Sequence, residues 1–105
     1  MKSGKKYNFG EVVLAEMQFT DSQETKVRPV LVLFEEYGNI IVIGITSNPN
    51  MKGIAITREE GLAFNSIIKM NYIMTITEDM IKKTLLVLSE QKKDKVKNEL
   101  LKRIK

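Results

Sequence analysis

A succession of short apolar runs, followed by only one convincing helix, sets the terms for what this chain can fold into. EVVLAEM, PVLVLFEE and NIIVIGITS come first, then GIAIT, SIIKMNYIMTI and TLLVL. All are rich in β-branched residues and are broken by turn formers, which reads as strands. EEYGN, between the second and third runs, has the length of a hairpin loop, with Gly38 or Asn39 expected at positive φ. REEGLAFN is too short for a full helix and carries Gly61 as a stop, so one helical turn is expected there. Thr77 reads as the N-cap of a second turn in TEDM. SIIKMNYIMTI is long enough for a bent strand or a strand pair.

Ser89 caps EQKKDKVKNELLKRIK, in which Val96, Leu100, Leu101 and Ile104 form one apolar stripe and lysines fill the rest. Strands do not alternate with helices, so nothing argues for a parallel sheet. The order predicts a mainly β fold, a small and strongly bent antiparallel barrel with a docked C-terminal α-helix. At 105 residues one core and one domain, 1–105, are expected.

Composition narrows the chemistry. No apolar run reaches the ~18 residues of a membrane span, and the N-terminus lacks the apolar centre of a signal peptide, so a soluble, cytoplasmic protein is expected. Cysteine and histidine are both absent. That removes thiol chemistry, the commonest metal ligand and the commonest general base. Catalysis would have to run on carboxylates, hydroxyls, lysines or arginines, and no cofactor-binding or metal-ligating motif is present. The net charge of +4 is unevenly spread: Lys82 to Lys105 hold nine basic and three acidic residues, residues 1–81 eight and ten. The positive balance belongs to the tail, where a lysine-rich helix face is either a solvated surface or a phosphate-binding one.

The polar residues that stand out lie at strand ends. Arg28 directly precedes Pro29, which biases it to an extended conformation at a loop-strand seam. Thr46 and Ser47 close NIIVIGITS just before Asn48-Pro49. If PVLVLFEE and NIIVIGITS form a hairpin, Arg28 and Thr46 become neighbours at one rim. A guanidinium beside a hydroxyl suits a phosphate, the first offering a planar fork of donors and the second one more. The plainer alternative pairs Arg28 with a loop carboxylate such as Asp21 or Glu24 and leaves Thr46 as a strand end. Phe19 and Phe64 fit core or dimer packing better than base stacking. Met17, Met51, Met70 and Met74 fit gap-filling better than an adaptable groove.

GEVVLAEMQFTDSQETKVRPVLVL, IIVIGITS, GLAFNSIIKMNYIMTI and VLSEQKKDKVKNELLKRI resemble, in order and spacing, the MazF/PemK/Kid toxins of bacterial type II toxin-antitoxin systems. The likeness runs from Gly10 to Ile104. Its most specific parts are the opening Gly-acidic-Val-Val-Leu, the Phe-Thr-Asp loop ending in Arg-Pro, and Ile-Thr-Ser after the third run. The resemblance implies an SH3-like barrel, a homodimer, and metal-independent, sequence-specific cleavage of single-stranded RNA (mRNA) to 2′,3′-cyclic phosphate and 5′-hydroxyl ends. It places the catalytic arginine at Arg28 and the catalytic threonine at Thr46. Glu24 is the nearest match to a loop glutamate proposed as base, in a loop here one residue shorter.

Thr20, Ser47, Lys52 and Lys69 would contact RNA, and a cognate antitoxin with an acidic, disordered segment would cover the site. The chain also departs from the pattern. Asn71 stands where some members carry aspartate, Tyr72 follows it, Met74 takes an arginine's place, and the first-loop histidine is missing. Those departures keep a second expectation in view, a non-catalytic SH3-like binding module of the same fold.

Overall fold

The computed structural model describes residues 6–18 and 25–104. Among these residues are six strands: β1 (Glu11–Gln18), β2 (Thr25–Glu36), β3 (Asn39–Thr46), β4 (Ile54–Ile56), β5 (Ser66–Thr77) and β6 (Ile81–Val87). They form one antiparallel sheet in the order β4-β5-β3-β2-β1-β6, curled into a half-barrel. One helix, α1 (Glu90–Arg103), follows, and 3₁₀ turns occupy Arg58–Glu60 and Glu78–Met80. The mainly β architecture with a single C-terminal helix is the one expected.

The apolar runs are nearly continuous because the sheet is buried on both faces. Side chains alternate across a strand, and here each set finds its own core. Val12, Leu31, Ile43, Ile45 and Ile68 pack on one face with Val96 of α1. Val13, Ala15, Val30, Val32, Ile40 and Val42 pack on the other. The 3₁₀ turn Glu78–Met80 joins β5 to β6, which pair with β3 and β1 in turn. Ile76 before the turn, and Met80 and Ile81 at its end, all join the second cluster, so the turn draws the sheet closed over that face.

The β2–β3 hairpin turns at Tyr37 (φ 54°) and Gly38 (φ 82°). Two consecutive positive φ values are what a two-residue hairpin loop needs to match the twist of its strands. Asn39, the other residue expected to take positive φ, instead pairs with Glu36 and opens β3. SIIKMNYIMTI is a single strand, bent by a register shift described below.

Ser89 Oγ accepts the Lys92 N–H at 3.2 Å and starts α1. Val96 is fully buried and Leu100 half-buried, but Leu101 and Ile104 are 57% and 74% exposed. At 3.6 residues per turn Leu101 is rotated about 140° from Val96, and Ile104 is already the C-cap. The expected stripe therefore docks only through its first half. Phe64, expected in core or dimer packing, is 68% exposed and lies outside the core. Among the described residues no helix is long and apolar enough to cross a membrane.

Candidate functional site

Arg28 sits on β2 opposite Ala15 of β1. On its other side, β2 pairs with β3 through Val30 and Gly44. The β2–β3 pairing stops there, next to Pro29, which has no N–H to give. Continuing the same register by two residues brings Arg28 beside Thr46, on the face that carries Val30 and Gly44. The neighbours on that face are thus small, an alanine and a glycine, and a cleft of about 220 Å³ opens over them. Arg28, Thr46, Lys69, Tyr72, Met17 and Met74 line it.

Thr46 is half-buried and its hydroxyl oxygen accepts the Asn48 N–H at 3.1 Å. Asn48 Oδ1 in turn accepts the Asn50 N–H at 2.9 Å. These two side-chain turns hold the loop after β3, and they orient the Thr46 hydroxyl with its proton available to donate.

Lys69 and Tyr72 reach the cleft through an irregularity in β5. Ile45 pairs with Ile68 and Ile43 with Ile73, so Gly44 alone faces residues 69–72. Bulges of this kind re-aim side chains. Here Met70 turns into the core, while Lys69 and Tyr72 border the cleft with Arg28. Lys69 Nζ stands 4.5 Å from the centre of the Tyr72 ring, a cation–π distance.

A second cleft of about 510 Å³ adjoins the same rim. It shares Arg28, Pro29, Ile45 and Thr46, and adds Ser47, Phe64 and Lys83 among others. Val27 and Phe64 give it an apolar lip, being 43% and 68% exposed.

Of the residues singled out from sequence, Arg28, Thr46 and Lys69 come together in the first cleft, and Ser47 joins Arg28 and Thr46 in the second. Lys52 is exposed on the β3–β4 connection and lines neither. Thr20, Glu24 and Phe19 lie outside the described residues. Glu16, one register step from the Arg28–Ala15 pair, is engaged otherwise: its carboxylate contacts Lys82 Nζ at 2.8 Å and accepts the Thr25 hydroxyl at 3.0 Å. Hydrogen bonds from Lys82 and Thr25 hold its carboxyl below the usual range, which makes it a weak base. Met70 and Met17 are buried in the two cores and Met74 packs against the second, as expected, while Met51 is exposed; Met17, Met51 and Met74 also border the first cleft. Tyr72 and Gly44 were not picked out as site residues from sequence. Their signal was an eleven-residue apolar run, SIIKMNYIMTI, too long for one regular strand opposite the single glycine of NIIVIGITS.

Residues 8–104 match the family model described as PemK-like, MazF-like toxin of type II toxin-antitoxin system. The chain belongs to that toxin family. Two solved structures show the same fold. The Mycobacterium tuberculosis toxin MazF-mt6 is 19% identical, with a TM-score of 0.67 over 87% of this chain and 93% of that one. A chain of the MazE–MazF structure (Form-II) from Deinococcus radiodurans is 14% identical, with a TM-score of 0.74 over 96% of this chain and 99% of that one. No curated protein matches the chain.

Proposed function

We propose that this toxin is a metal-independent endoribonuclease that cuts single-stranded RNA at a short sequence. The observation that carries the reading is the meeting of Arg28, Thr46 and Lys69 in one cleft, in a chain of the PemK-like, MazF-like toxin family. The ribose 2′-oxygen attacks the adjacent phosphorus and the bond from phosphorus to the 5′-oxygen breaks. A 2′,3′-cyclic phosphate forms. The 2′ proton leaves to a base and the departing 5′-oxygen takes up a proton. Arg28 supplies a fork of donors to the charge that grows on the phosphorane, and the Thr46 hydroxyl donates to a nonbridging oxygen. Glu24 is the residue assigned to take the 2′ proton. Lys69, Lys52, Thr20 and Ser47 hold the strand.

As a toxin of a toxin-antitoxin pair, the chain works against an antitoxin partner, and the MazE–MazF structure is a relative with its partner in place. The second cleft, with its apolar lip and Lys83, suits an acidic antitoxin segment that folds as it docks and screens Arg28. A homodimer in the cytoplasm completes the reading.

The test is to incubate a long RNA with the purified protein and analyse the new ends. Cyclic phosphate and 5′-hydroxyl ends are expected, and a substrate with 2′-deoxyribose at the cut position should bind and stay intact. Cutting of the deoxy substrate would sink the mechanism. A second reading, a binding module without activity, draws on Met74, an apolar side chain in the cleft where the resemblance implies an arginine. Absence of any cleavage with intact RNA binding would favour it.

A further inference from the structure

Tyr72 is an unusual residue to find where it is. Its ring borders a cleft already holding two cations, Arg28 and Lys69, yet the residue remains 51% exposed. A tyrosine placed there for packing would be turned inward, as Met70 two residues earlier is. The backbone is arranged to seat it. A Cβ on Gly44 would stand 2.8 Å from Tyr72 Cδ2 and 3.4 Å from Met74 Cε, so only glycine lets the ring lie this close to β3. Gly44 shows no positive φ, so close approach, not backbone conformation, is what its missing side chain serves. The bulge at residues 69–72 swings Tyr72 over that glycine, and Lys69 stands against the ring.

An exposed aromatic ring beside a phosphate-gripping arginine is the combination used to hold single-stranded nucleic acid, one group taking the base and the other the backbone. On the nucleic-acid reading above, we propose that Tyr72 is the stacking platform for a nucleobase flanking the phosphate gripped by Arg28. The base lies on the ring face not taken by Lys69. Lys69 fixes the ring and adds charge to the strand path, and Gly44 provides the floor. Because every base has a π-face, the platform contributes affinity for unpaired bases more than choice among them. A paired base, stacked within a duplex, cannot reach it.

The test is equilibrium binding of two kinds of strand that 2′-hydroxyl attack cannot cut. One is 2′-O-methylated oligouridylate, oligocytidylate or oligoadenylate, and the other a base-free sugar-phosphate strand of equal length. The intact protein should prefer the base-bearing strands. Tyr72→Ala should weaken them roughly 5- to 100-fold and leave the base-free strand unchanged, while Tyr72→Phe restores binding. Arg28→Ala should weaken both kinds alike. Gly44→Ala, which displaces the ring without touching a polar group, should weaken the base-bearing strands in the native background and do nothing further in Tyr72→Ala.

Tyr72→Ala retaining the full preference for bases overturns the platform and leaves the nuclease reading standing. Equal loss of both strands overturns it too, reducing the ring to a prop for Lys69. Failure of the intact protein to bind any strand overturns both readings together.

Discussion

Arg28 projects between Ala15 and the end of β3, next to a proline that closes off one side of its strand's hydrogen bonding. The strand gives stiffness and the small neighbours give room, so the fork can be aimed at a ligand. Arg28→Lys keeps the charge but replaces a planar fork with a point charge, and most cleavage should be lost. Arg28→Ala should lose about a hundredfold or more, while a urea melt moves by no more than ~0.5 kcal/mol, as for an exposed site. Full cleavage by the lysine variant would reduce Arg28 to generic electrostatics. Thr46 differs, because its oxygen also accepts the Asn48 N–H. Thr46→Val should therefore lose rate and about 1 kcal/mol of stability together, and Thr46→Ser should retain both. A stable but inactive serine variant would show that the hydroxyl is not the group that matters. The neighbourhood of Arg28 and Thr46 was legible in sequence, since a hairpin of two apolar runs fixes which ends meet. The place of Tyr72 was not, because the run SIIKMNYIMTI signals an irregular strand without marking where the bulge falls.

At the scale of elements, α1 is tied to the sheet by more than Val96. Lys92 Nζ donates to the Ala55 carbonyl of β4 at 2.6 Å and lies 3.4 Å from Glu60 Oε1. Glu60 in turn accepts the Thr57 N–H at 2.8 Å. Burial raises the Glu60 carboxyl, but the Thr57 N–H and the Lys92 ammonium outweigh it, and the group titrates below its ordinary 4.5. A depressed carboxylate contributes its stability above the unfolded value and loses it as pH falls through the folded one. Glu60→Gln should then cost about 0.5–1 kcal/mol near neutrality and progressively less as pH falls below the ordinary 4.5, as read from urea unfolding over a pH series. A cost that stays constant with pH would mean that neither the Thr57 N–H nor Lys92 favours the charged form of Glu60. The short turns at Arg58–Glu60 and Glu78–Met80 were foreseen from their caps and a glycine stop. The far half of the helix stripe was not, because periodicity reports which residues share a face and not how far the partner surface extends. β3 was legible as a strand for the opposite reason: between Asn39 and Thr46, IIVIGI carries no polar side chain, and a strand covered on both faces reads that way.

The whole molecule leaves apolar surface uncovered at the far end of the sheet. Phe34 pairs with Ile41, Ile41 with Thr75, and Ile43 with Ile73, so Phe34, Ile41 and Ile73 share one face across three strands. Phe34 and Ile73 are 49% and 51% exposed, and Leu101 and Ile104 add apolar surface on α1. Single exposed leucines or isoleucines mean little, but Phe34 and Ile73 exposed on one face of the sheet predict an interface there. A face of this kind is most simply covered by a second copy related by a two-fold axis, each patch meeting its twin. Tyr72 points to the opposite face from Ile73, so dimerisation through Ile73 leaves the platform and Arg28 open to RNA. Light scattering at micromolar concentration should report twice 12.0 kDa, and Ile73→Lys, by burying a charge at the seam, should return the protein to a folded monomer. The monomer should keep its affinity for a base-bearing strand within a few-fold if each cleft is complete in one copy. Loss of binding on monomerisation would mean that the strand spans both subunits, and an intact protein that scatters as a monomer would remove the patch's role altogether.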